Sequence, residues 1–380
     1  MTSEPILGPV VIPTSVNGSR TTPDPRTVAA KNLDPMYQDE YILGFQHQLG
    51  ANWSMGLRAI HREVKAGMDD FCGHNAFNSW AADNGFDPNF ALDGDGIDMA
   101  GCLIINPGSD VTLAMDPDNN GTLEVYDVPA SYLGLPEYAR KYNAVEFFWE
   151  RSKSDNWYLQ GSYTLAKSKG NVEGYVNSTL EQVDAGVTQD FDFPAFEDGA
   201  YGYLPNDRRH TFKLFGAYDI TEEWTVSANL LIQSGRPVNC NGFIPVDALG
   251  IGSPDAGTIS AYSGSSFYCL DPAGNLADPG PDETLNTADD IKYSLGNRGD
   301  RGRTPWTRTF DAGVSYTPNW AEGKLNLQMK VFNVLNSSTV TEYNEASTTF
   351  RTQRETDPDF LNNVNYLAPR SVRFTVRYDF

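Results

Sequence analysis

Twelve residues from Asp116 to Asp127 read Asp-Pro-Asp-Asn-Asn-Gly-Thr-Leu-Glu-Val-Tyr-Asp, and their oxygens fall where a calcium loop places its ligands. Asp116, Asp118 and Asn120 hold the first, third and fifth positions, Gly121 the sharp turn, Thr122 the carbonyl position and Asp127 the closing acid. The pattern departs from the template twice: Asp127 is one methylene shorter than the usual glutamate, and no helix-forming segments flank the loop. The chemistry is therefore a calcium-stabilised loop without its helix pair, or a plain Asx-rich turn. Two more acidic clusters carry the same suggestion, with candidate donors Asp93, Asp95 and Asp98 in one and Asp282, Asp289 and Asp290 in the other. A hard divalent cation would neutralise like charges that repel across a short loop; the competing reading is an acidic, solvated surface.

Four cysteines fall as two pairs, Cys72 with Cys102 and Cys240 with Cys269, each pair within one long stretch between strand-like segments. Two within-loop bridges are the simplest of three possible connectivities, and free buried thiols are the alternative. No Cys-x-x-Cys occurs, which argues against metal ligation by sulfur. Histidines are few: His47, His61, His74 and His210. His210 stands beside Asp207, where a structural role outweighs a catalytic one. With no Gly-x-Ser-x-Gly, phosphate loop or His-Glu-x-x-His, nothing points to an enzyme.

The elements that hold these loops are strands. The chain has 380 residues, 40% of them apolar, and a net charge of −22. That charge excludes a phosphate-tracking nucleic-acid binder. Mean hydropathy is −0.44, and no apolar run approaches the ~20 residues of a spanning helix. A membrane β-barrel is compatible with both, because its strands place a polar residue at every second position. Seven Trp, 19 Tyr, 20 Phe, 34 Gly and 23 Pro favour strands and turns.

A period of two picks out nine segments of about ten residues, the length of a tilted transmembrane strand. In Ser371 to Phe380, Val372, Phe374, Val376, Tyr378 and Phe380 share one face, while Arg373, Thr375, Arg377 and Asp379 share the other. Leu325, Leu327, Met329 and Val331 oppose Asn326, Gln328 and Lys330, and Phe310, Ala312, Val314 and Tyr316 oppose Thr309, Asp311 and Ser315. The polar faces would bring Arg58, Glu146, Glu150, Lys213, Asp311, Lys330, Arg373 and Arg377 to a wet interior. Connections alternate strictly between tight and long. Tight turns lie near Gly50, Ser154, Thr221 and Pro318 to Gly323; long connections run roughly over 65–141, 168–207, 234–305 and 336–369. A soluble domain rarely holds four structureless loops of that length, whereas an outer-membrane barrel does. Trp53, Trp157, Trp224, Trp306 and Phe380 near strand ends fit interfacial girdles. The expected fold is all-β: an antiparallel up-and-down transmembrane barrel portion of about nine strands with long extracellular loops.

An odd count, with long loops outside, makes the first strand run inward from the cell exterior and the last end in the periplasm. No export signal opens the chain. These points lead to the expectation of a C-terminal piece of a larger barrel, with residues 1–37 an extracellular loop remnant and 38–380 the barrel portion. Pro205-Asn206-Asp207-Arg208-Arg209-His210-Thr211-Phe212 resembles the Asp-Arg-Arg-His segment of TonB-dependent outer-membrane receptors. Val331-Phe332-Asn333-Val334-Leu335-Asn336 and Pro369-Arg370-Ser371-Val372-Arg373-Phe374 resemble that family's last two strands, and the loops resemble its Oar-like members, which carry a carboxypeptidase-regulatory-like domain. The resemblance implies a barrel of about 22 strands around an N-terminal plug. It also implies a place in the bacterial outer membrane, contact with outer-membrane lipid, an unidentified solute, and TonB as partner of the full-length protein, with no nucleic acid. On this resemblance the chain is expected to hold neither plug nor TonB box. A calcium-stabilised surface or adhesion barrel without transport, and a secreted soluble β-sandwich, are the alternatives.

Overall fold

The computed structural model describes residues 25–91, 102–178, 182, 185–249, 266–278, 284–348 and 356–380. Its backbone is one antiparallel meander. We number its long strands β1 (Tyr37–Leu49), β2 (Trp53–Lys65), β3 (Arg140–Ser154), β4 (Trp157–Gly170), β5 (His210–Asp219), β6 (Trp224–Gln233), β7 (Thr307–Tyr316), β8 (Leu325–Phe332) and β9 (Ser371–Tyr378). Each is hydrogen-bonded to the next in sequence, and a two-residue strand, Gly202–Tyr203, adds a tenth member at the loop end of β4. Among the described residues β1 and β9 are edges, so the sheet is an open arc.

The tight turns are built by residues that accept a left-handed backbone. Asp155 and Asn156, at φ 48° and 66°, make the two-residue link between Ser154 and Trp157, the arrangement whose twist suits a hairpin. Gly50 follows β1 with φ 66°, and Glu322 and Gly323 stand at φ 53° and 78° before β8.

Register gives the sheet two unlike faces. Phe45 lies opposite Leu57, Leu57 opposite Phe147, Phe147 opposite Tyr163 and Tyr163 opposite Phe212. The row continues through Ile232, and one step along, Leu214, Leu230 and Phe310 are partners. Farther on, Val314, Met329 and Phe374 line up. Because opposite residues in a ladder share a face, the apolar rows merge into one surface across all nine strands. That surface stays open: Leu43 is 79%, Phe45 70% and Phe374 74% exposed. No second sheet packs on it among the described residues, so the dry interior of a β-sandwich is not what this sequence builds.

The buried core sits in the connections. One cluster packs Phe71, Phe77, Leu103, Leu113, Met115 and Phe191 with their neighbours, and a second packs Phe193, Phe196, Ile244, Tyr268 and Tyr293. The long connections, expected to be structureless, hold a helix (His74–Asp83) and short ladders, among them Val111–Met115 with Glu124–Val128, and Tyr268–Leu270 with Ile291–Leu295. Several long strands also outrun their expected length. β2 and β4 stay paired out to Lys65 and Gly170, and their loop ends lie beyond the expected bounds because charge at Glu63, Lys65, Lys167 and Lys169 replaces the apolar alternation that marks a strand in sequence.

Candidate functional site

On the face opposite the apolar rows, strand register sets charges against one another. Arg58 is the ladder partner of Glu146, and the two form an ion pair, with the Arg58 guanidinium 5.5 Å from the Phe148 ring. Arg62 pairs with Glu40 from the neighbouring strand. Asp311 lies opposite Asn229, and one of its oxygens accepts the Asn333 amide at 2.8 Å. Lys330 is the partner of Arg373, Asn326 that of Arg377, and Arg373 lies 5.1 Å from the Phe332 ring. Glu150 and Lys213 share this face by register. Such a wall offers fixed charges of both signs to whatever lies inside the arc.

Aromatic side chains mark both ends of the apolar face. At the tight-turn end Trp53 meets Trp157 at 6.1 Å and Trp224 stacks on Tyr316 at 4.5 Å. At the loop end His210 stacks on Trp306 at 5.5 Å, and its Nδ1 shares a hydrogen bond of 2.7 Å with the Tyr163 hydroxyl. Amphipathic rings in two rows are what a lipid bilayer selects at its two surfaces.

The Asp-Arg-Arg-His segment is a brace between strands and loops. Asp207, 1% exposed, accepts the Ser168 amide at 2.6 Å and forms an ion pair with Arg303, and Arg303 also donates to the Asp207 and Gly235 carbonyls. Farther out, Arg236 binds Glu342 and Glu345 at 2.8 and 3.0 Å, joining the third long connection to the fourth. Burial raises the Glu345 carboxyl above the ordinary carboxylate range, against the pull of Arg236.

The first two connections meet around buried acids. Asp69 is fully buried; it accepts the Thr188 amide and hydroxyl, both at 2.8 Å. Burial pushes it up to about 7, and the Thr188 bonds oppose this. Asp190 is pushed up to about 6 by burial, with Arg298 pulling the other way. Glu197 stands well above its usual range for the same first reason. None of these acids was a candidate from sequence. Thr188 lies 119 residues from Asp69, Arg298 is about as remote from Asp190, and Asn171 stands 26 residues before Glu197, so no local spacing signals them.

The twelve-residue acidic loop is only partly gathered. Both oxygens of Asp116 accept backbone amides, from Asn120 at 3.0 Å and Gly121 at 2.7 Å; the Asn120 side-chain amide donates to Asp118 at 2.9 Å, and its Oδ1 accepts the Thr122 backbone amide at 2.8 Å. This is an Asx turn. Asp127 has gone elsewhere: it lies on the strand Glu124–Val128 opposite Thr112, whose hydroxyl donates to it at 2.6 Å. Thr112 is four ladder positions from Asp116, which separates the two acids by about 13 Å at the rise of a strand. The closing position of the calcium template is thereby carried away from the other donors.

Asp290 receives Lys292 at 3.0 Å and the Asn286 amide at 2.9 Å, and Thr287 donates to Asp289 at 2.7 Å, so both acids tie down a turn. Asp93, Asp95, Asp98 and Asp282 lie outside the described residues. Disulfides join Cys72 to Cys102 and Cys240 to Cys269. Asp70 and Asp192 lie close to the first, whose sulfurs, being bonded to each other, offer no thiolate to a metal.

A family model described as an outer membrane beta barrel domain matches residues 2–360. Over 398 aligned residues the chain is 25% identical to the TonB-dependent transporter Oar of Myxococcus xanthus, taking in 93% of this chain and 29% of that protein. The chain thus spans less than a third of the length of that relative. Among solved structures, the outer membrane transporter YddB from Escherichia coli aligns with a TM-score of 0.42 at 14% identity, covering 92% of this chain and 33% of that one. The FrpB iron transporter from Neisseria meningitidis aligns at 0.41 and 10%, covering 93% and 32%.

Proposed function

The chain belongs to the outer membrane β-barrel domain family and is a protein of the bacterial outer membrane, and from that premise we propose that it is the C-terminal arc of a TonB-dependent, Oar-like receptor that passes a solute inward. In this reading 38–380 supply nine adjacent strands of the wall, 1–37 belong to an outer loop, and the missing strands, plug and TonB box lie elsewhere in the full-length protein. One observation carries it: the apolar rows are in register across nine strands and exposed, while the other face holds paired charges. Lipid on one side and water on the other is the environment that makes both faces favourable. The long connections, with their own cores and bridges, would form the outer surface over the opening.

Calcium enters this proposal through Asp116, Asp118 and Asn120 alone, the trio the first loop gathers. A chelator that leaves the protease sensitivity of that loop unchanged removes it.

The receptor reading is tested on the product of the complete gene. A plug and a TonB box upstream, with heat-modifiable migration after refolding in detergent, support it. A complete export signal followed by strands alone would favour a surface or adhesion barrel, and a product soluble without detergent would overturn the membrane placement.

A further inference from the structure

At the loop end of the apolar face, just beyond its last lipid-facing residues, positive charge gathers. Lys141 and Lys169 are direct ladder partners, and Lys167, opposite Asn143, lies on the same face. Like charges set opposite each other in a ladder are destabilising. Glu63 meets Lys141 at 2.9 Å, but it also serves Lys65 at 2.8 Å. Among the described residues no carboxylate lies within ion-pair distance of Lys167 or Lys169. Tyr203, the ladder partner of Lys169, has the ammonium 4.4 Å from its ring and the Arg209 guanidinium at 5.0 Å. Arg209 reaches Asp207 only at 3.9 Å, and its buried Nε has no acceptor. The hydrogen bond from Arg209, aided by the fields of Lys169 and Lys167, holds the Tyr203 hydroxyl below its ordinary value. A molecule of net charge −22 thus gathers more cations than carboxylates at one place on this face, with Lys167 and Lys169 unmatched among the described residues.

The height of that place identifies what meets it. Ten residues separate Lys167 from Trp157 at the tight-turn girdle. At ~3.3 Å per residue and a tilt of about 40° they span about 25 Å, the height of a barrel's apolar band. The cations therefore stand at headgroup level.

We propose that Lys141, Lys167, Lys169, Arg209 and Tyr203 form a docking surface for the phosphate-bearing headgroup of an outer-leaflet lipid. The lipid's acyl chains would lie along the apolar rows below, and its phosphate would supply the anion that the opposed lysines lack. This rests on the receptor reading for one point, that the long-loop end faces outward.

The test uses the product of the complete gene in phosphatidylcholine nanodiscs doped with bisphosphorylated or dephosphorylated lipid A, with retained lipid counted by native mass spectrometry. The wild type is expected to retain the bisphosphorylated form selectively. Lys167→Gln with Lys169→Gln is expected to weaken retention roughly 30-fold, the loss for two basic side chains at an anionic surface. Lys324→Gln, at the tight-turn end, is expected to change nothing. Heat-modifiable migration checks that the double variant folds, and Lys167→Arg with Lys169→Arg restores retention if charge is what acts. Equal retention of the two lipids, an unaffected double variant, or displacement by inorganic phosphate as effective as by lipid overturns the proposal. Protease access to the loops on intact cells separates the failures: inaccessible loops defeat the orientation, whereas accessible loops without lipid selectivity defeat this inference alone.

Discussion

Asp69 shows what single residues contribute to the loop layer. It is fully buried, and Thr188, 119 positions away, supplies two of its hydrogen bonds. Its carboxyl, ordinarily near 3.8, is pushed up to about 7 by burial, so the folded state prefers the protonated form. The resulting stability is fully present below the ordinary value and is lost as pH rises through about 7. Asp190, pushed up to about 6, acts in the same direction. Protection against hydrogen exchange in the segments around Asp69 and Thr188, corrected for the intrinsic pH dependence of amide exchange, is expected to fall between pH 4 and pH 7, and Asp69→Asn, which keeps an acceptor without the charge, is expected to flatten that fall. An unchanged profile in the variant would remove Asp69 as the cause. Arg236 gives a second prediction. It is largely buried against Glu342 and Glu345, and Arg236→Ala should destabilise the joint between the third and fourth connections by about 3–5 kcal/mol by leaving buried carboxylates uncompensated. Limited proteolysis of those connections measures it.

At the scale of elements, strands and loops differ in how they are held. Each disulfide closes a loop of about thirty residues, Cys72 to Cys102 across 30 positions and Cys240 to Cys269 across 29. Reduction is expected to cost each loop about 3–4 kcal/mol in the chain-entropy account. Native-state proteolysis with a reductant should therefore open the connections first and leave β1 to β9 protected; simultaneous loss of both would contradict that separation. The same difference explains what the sequence made legible. Alternation from Leu325 to Val331, or from Val372 to Tyr378, shows both the strand and its lipid-facing side, because a membrane strand must repeat its pattern over its whole length. Ladders of three to five residues, such as Val111–Met115 with Glu124–Val128, are too short for any period to stand out. Asp127 illustrates the same limit: the calcium template counts positions along the chain, whereas the hairpin sets that acid opposite Thr112.

For the whole molecule the governing fact is an arc whose two edge strands run the same way. Among the described residues, closure of the arc on itself would need β1 and β9 to pair in parallel, whereas every ladder between neighbouring strands of the sheet is antiparallel. Single cysteines introduced at Leu43 and Phe374 are expected to give no cross-link within the chain in membranes, and each should cross-link to segments outside these residues. An efficient Leu43→Cys to Phe374→Cys bond would mean that the chain closes alone. The tight turns, finally, set the pairing of successive hairpins at one rim, whereas the bridged, self-packed connections rise from the other. Register is therefore decided away from the connections; because the first two share one core through Phe71 and Phe191 and Arg236 ties the third to Glu342 and Glu345 of the fourth, they would change together as a layer, without re-threading the wall. Such a division lets the layer of connections vary while the wall beneath keeps its register.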